Sequence, residues 1–137
     1  MVNQQESMID KSEIEANLQI ISDTIEQFNG MDIYKTVDYL GEVVSLQSLA
    51  TETQASCKYW LLDAIDSELT RQARLTGNEK IAPSIKKMRA DAKCREWHYL
   101  YEKSQRLSAG ISHTIESTRT KISYLKQEME NSKYSSN

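Results

Sequence analysis

Residues 97–129 read WHYLYEKSQRLSAGISHTIESTRTKISYLKQEM. Within them Trp97, Tyr101, Ser104, Ser108, Ile111, Ile115, Thr118, Ile122, Leu125 and Met129 recur at alternating steps of four and three. That spacing lays the ten side chains along one stripe of an α-helix, the seam of a coiled coil or bundle. Its polar members weaken the seam and can fix its register. Upstream, Pro83 suits a first helical turn, where its missing N–H leaves no bond unmade. The pattern therefore predicts a helix over 83–130, with a disordered tail at 132–137.

Two more helices precede it. Ile14, Leu18, Ile21, Ile25 and Phe28 are spaced 4, 3, 4, 3 and predict a helix over 10–28, stopped by Asn29-Gly30, with residues 1–6 disordered. Asp32 is placed to cap the next helix, whose apolar face starts with Ile33, Val37, Leu40 and Val44. No breaker interrupts it before Thr76-Gly77-Asn78 except Gly41, which costs a helix roughly 1 kcal/mol. A helix over 33–76 would be a rod roughly 66 Å long at ~1.5 Å per residue. The small, polar stretch SLQSLATETQAS at 45–56 leaves room for a kink.

The short connection GNEKIA folds the second and third helices into an antiparallel hairpin. Residues 1–137 then form one all-α domain, an N-terminal helix on a long coiled-coil-like hairpin. Folding about residue 79 sets Trp60 level with His98, so Trp60 and Trp97 should meet. Ser48 and Ala50 fall opposite Ser108, Ala109 and Gly110. Cys57 lies about seven residues from the level of Cys94, roughly 10 Å and too far for a disulfide. A rod with an apolar stripe longer than one short helix can cover should self-associate into a homo-oligomer.

Composition narrows the function classes. No apolar run approaches membrane-spanning length, and MVNQQESMIDK lacks the form of a signal peptide, so a cytoplasmic location is expected. Cys57 and Cys94 make neither a disulfide framework nor a zinc spacing and read as small buried hydrophobes. CKYW (57–60) and CREW (94–97) share a short pattern that chance produces easily. His98 and His113 have no ligand-spaced neighbours, and the chain holds no Gly-rich phosphate loop, HExxH or GxSxG. The expectation is a non-enzymatic protein without cofactor or metal.

Charge is segregated along the chain. Residues 1–56 carry ten acids against Lys11 and Lys35, whereas residues 71–95 carry eight basic residues against Glu79 and Asp91. Asp63, Asp66 and Glu68 lie near the levels of Arg95, Lys93 and Arg89, so some pairing within the hairpin is expected. At about 100° per residue, the stripe through Trp97 extends backwards onto Lys86, Arg89 and Lys93, while Ile85, Met88 and Ala92 supply apolar contact there. What covers those cations must be wet or anionic: solvent, a nucleic acid or nucleotide, or the acidic first helix of a neighbouring subunit. On the nucleic-acid reading Arg71, Arg74, Lys86, Lys87, Arg89 and Lys93 contact phosphates, and Trp97 and Tyr101 stack on bases if exposed.

The second half also resembles the phage recombination-mediator family of the UvsY type. The resemblance rests on Ala90-Asp91 early in a long helix, Tyr99 and Tyr101 beside Leu100, then Leu107, Ile111, Ile115, Arg119, Ile122 and Met129. It implies a small helical protein that forms oligomeric rings, binds single-stranded DNA, and helps load a recombinase onto strands coated by single-strand-binding protein. The acidic first helix and a pI near 5.4 depart from that pattern. The leading expectation is thus an oligomeric accessory protein of phage or mobile-element recombination or replication in the bacterial host cytoplasm. Its rivals are a protein-only adaptor or inhibitor of anti-defence type acting through helical interfaces, and a helical oligomer that sequesters a nucleotide.

Overall fold

The computed structural model describes residues 8–28, 30, 32–77 and 80–135; the expected disorder at 1–6 and at the last two positions lies outside them. Among the described residues four helices are present: α1 (Lys11–Glu26), α2 (Ile33–Thr76), α3 (Pro83–Lys93) and α4 (Arg95–Ser135). The protein is all-α.

Local chemistry sets the ends. Asp10 and Asp32 sit in extended conformation and accept hydrogen bonds from the backbone N–H of Glu13 (2.9 Å) and Lys35 (2.8 Å), satisfying donors that a helix start leaves open. Gly77 takes φ 55° where α2 stops, a conformation that favours glycine. Helix α2 runs its 44 residues without interruption, through Gly41 and through 45–56. Ser45, Thr51 and Thr53 bond back to carbonyls of their own helix, Thr53 to Leu49 at 2.7 Å, whereas Ser56 turns to Met8 and Ile9.

The third predicted helix is two helices, and the second reaches Ser135 rather than ending near 130. Cys94, at φ −98° and ψ 22°, separates them. The break is slight, because the Cys94 N–H still bonds the Ala90 carbonyl and the His98 N–H the Cys94 carbonyl. His98 Nε2 lies 3.3 Å from Asp91 Oδ1 and ties the two sides together.

Two linked core clusters hold α1 against the α2–α4 hairpin. One joins Ile21 to Tyr39, Val43, Leu46, Ala50, Ile111 and Ile115; the other joins Ile14 and Leu18 to Cys57 and Leu100, with Trp60, Trp97 and Tyr101 packed on it. Trp60 and Trp97 stack with centroids 6.3 Å apart, and the Trp60 indole donates to the Ile9 carbonyl at 2.7 Å. A Lys11–Glu96 ion pair joins the start of α1 to α4. Gly110, beside the seam, lies against α1: a Cβ there would stand 3.4 Å from Ile25 Cδ1.

Helix α1 reaches only the part of the hairpin remote from the connection. Beyond Trp60 and Trp97 the tip consists of the last turns of α2 against α3. That half-covered architecture positions the site described next.

Candidate functional site

The buried line of α4 passes backwards from Leu100 to Cys94 and Ala90, both buried. This corrects the extrapolation onto Lys86, Arg89 and Lys93. Those residues flank the seam, Arg89 and Lys93 exposed and Lys86 half-buried, while two small residues let α3 approach α2. The apolar contact expected from Ile85, Met88 and Ala92 is also corrected: Ile85 is 45% and Met88 70% exposed, and Ala92 faces a groove. The sequence pattern misleads because Ala90 and Cys94 carry little hydrophobic signal yet take the buried positions.

That groove, about 520 Å³, lies between α2 and α3 and is lined by Glu68, Arg71, Gln72, Leu75, Thr76, Arg89, Ala92 and Lys93. Of the eight sequence-nominated residues, it gathers Arg71, Arg89 and Lys93. Arg71 is engaged on its own helix, reaching Glu68 through Nε (3.0 Å) and Nη2 (2.6 Å). The Arg71 hydrogen bonds hold the Glu68 carboxyl below the usual carboxylate range, with smaller help from Gln72 and Lys93. Glu68 thus spends its charge on Arg71. Asp63 and Asp66 make no ion pair with Arg95, Lys93 or Arg89, against the expectation of cross-hairpin pairing. Among the described residues, Arg74, Lys86, Lys87, Arg89 and Lys93 have no carboxylate within ion-pair distance.

No family model, curated protein or solved structure matches this chain.

The remaining nominated residues sit elsewhere. Arg74, Lys86 and Lys87 lie on the same tip but outside the groove lining. Trp97 and Tyr101 are half-buried in the second core cluster, so packing occupies the rings proposed for base stacking. Tyr99 is the more exposed ring of that segment, at 55%.

Gln72 is the residue sequence reasoning missed. It is 7% exposed and leaves its Oε1 without a partner among the described residues. A polar residue between Arg71 and an exposed face gives no periodic signal of burial. Also missed was Leu75, 70% exposed at the groove edge.

The cysteines offer no chemistry to the tip. Both are free and buried, and burial pushes the Cys57 thiol up, against a lesser opposing hydrogen bond from Ser104. Burial likewise raises Cys94, with Glu68 and Asp91 adding to it. Among the described residues no group of three His, Cys, Asp or Glu is arranged to hold a metal ion. Among the described residues no helix is long and apolar enough to cross a membrane.

Proposed function

We propose that the protein is a non-enzymatic, self-associating accessory protein of phage or mobile-element recombination or replication, which engages single-stranded DNA, free or in its protein complex, through the basic hairpin tip. The observation that carries this reading is the set of cations without a carboxylate partner among the described residues, Arg74, Lys86, Lys87, Arg89 and Lys93, around a groove that α1 leaves uncovered. Cations held without carboxylate partners gain most from phosphates, whose counterions are released on binding. Trp97 and Tyr101 act as packing residues in this account, and phosphate contacts dominate affinity.

Salt titration of a labelled oligo-dT tests it. If all five cations meet phosphates, log affinity falls against log salt with a slope of about −3.5, or roughly 100-fold between 50 and 200 mM. Replacing Arg89 and Lys93 by alanine should lower the slope to about −2. Binding that ignores salt, or no binding at 50 mM, refutes the reading.

A second reading is favoured by the exposed apolar side chains Leu75, Ile85 and Met88 beside the cations. Such a mixed surface also suits an acidic, partly apolar protein face, including the acidic first helix of another copy. Loss of self-association on Met88→Glu, with oligonucleotide binding absent in the parent protein, is the outcome that selects it.

A further inference from the structure

We infer that the groove between α2 and α3 is a subsite for one unstacked nucleobase of the bound strand, with Gln72 meeting its hydrogen-bonding edge and Arg89 and Lys93 holding the adjoining phosphates. This rests on the strand-binding reading above and adds to it a contact that is not electrostatic.

Three observations carry it. The groove, about 520 Å³, falls within the range of small-ligand sites, and Leu75 and Ala92 give it apolar walls suited to a flat ring. Arg89 and Lys93 stand on α3 one helical turn apart, both exposed, both without an acidic partner among the described residues, and both lining the same groove. Gln72, more than nine-tenths buried, is among the residues lining that groove, and its enclosed acceptor oxygen is met by no described residue. A buried acceptor left unmet is costly, and its own neighbour Glu68 can only accept. The last torsion of a glutamine is soft, so the amide can turn towards an incoming donor without moving α2.

Each nucleobase supplies such a donor on its pairing edge: the amino group of adenine or cytosine, the ring N–H of thymine, or either on guanine. An abasic sugar-phosphate supplies none, yet carries the same charge. The site is therefore expected to prefer strands with bases over abasic strands, with little choice among bases.

The test compares a labelled twelve-residue oligo-dT with an abasic strand of the same length at fixed low salt. The parent protein should favour the base-bearing strand by about 3- to 10-fold, the worth of a net hydrogen bond with its contacts. Gln72→Leu, which fills the same space without the acceptor, should bring that ratio close to one while leaving the salt slope unchanged. Ala92→Leu, on an exposed position, fills the groove and should do the same without disturbing the core. Circular dichroism confirms that each variant is folded. A ratio that survives both substitutions, with salt-dependent binding intact, overturns the subsite and leaves the strand-binding reading standing. Absence of salt-dependent binding in the parent protein overturns both.

Discussion

Replacing Trp97 by alanine separates a packing role from a binding role. The ring is half-buried, stacks on Trp60 at 6.3 Å with 27° between planes, and backs the cluster of Ile14, Leu18, Cys57 and Leu100. Removing a fully buried tryptophan costs about 3–5 kcal/mol. A half-exposed ring should cost about 2–3 kcal/mol, of which about 0.5–1.5 is the aromatic pair itself. With a urea dependence of about 2 kcal/mol per molar, the midpoint should fall by about 1–1.5 M. Helical circular dichroism at several urea concentrations reads this directly. Trp97→Phe keeps a ring against Trp60 and should recover about half of the loss. Oligo-dT affinity, measured where each variant is fully folded, should stay within about twofold of the parent because phosphate contacts dominate it. A midpoint unchanged within about 0.2 M, together with a tenfold loss of strand affinity, would refute the packing assignment and restore Trp97 as a stacking platform.

Tyr39→Phe tests how α1 is fastened. The hydroxyl shares its proton between the Thr24 and Ile25 carbonyls at 2.9 and 3.0 Å, both in the last turn of α1. Its loss should cost about 1–2 kcal/mol and lower the melting temperature by about 3–6 °C; an unchanged melt contradicts the contact. Glu68 predicts a pH effect of known sign. Its carboxyl is held below the ordinary range by Arg71, so the stabilisation it brings is complete above the ordinary glutamate range and lost as pH falls through the lowered value. Urea midpoints of the parent and Glu68→Gln should therefore converge on acidification, and a gap that widens instead would show the pairing to be absent.

Much of the architecture is legible in the pattern of apolar residues, because a 3–4 repeat sustained from Trp97 to Leu125 has few structural solutions. The chain reversals are legible too: Asp32 caps a helix by simple side-chain chemistry, and Gly77 provides the conformation at which α2 stops. The meeting of Trp60 and Trp97 follows from counting residues back from the hairpin turn, since the helical rise is constant. The tip resists that kind of reading. There Ala90 and Cys94, rather than larger apolar residues, mark the buried line, and a slight break at Cys94 separates two helical segments. Charge pairing departs from the pattern for a related reason. Glu68 finds Arg71 three residues along its own helix, a shorter reach than any cation on α3, so the cross-hairpin pairs inferred from level alone do not form. Gln72 gives no signal in the sequence, since polar residues at buried positions break the pattern from which burial is inferred.

The most direct test of the strand-binding proposal is the anisotropy of a labelled oligo-dT, titrated at low salt with the parent protein and with Lys86→Glu, Arg89→Glu combined. Both positions lie on α3 at the tip, apart from the two core clusters, so the variant should fold and melt like the parent. The parent should bind in a salt-sensitive manner, and the variant should lose at least tenfold in affinity while retaining its helical spectrum. Equal binding by the two proteins, or binding by neither, would contradict the assignment of the basic tip as a nucleic-acid interface.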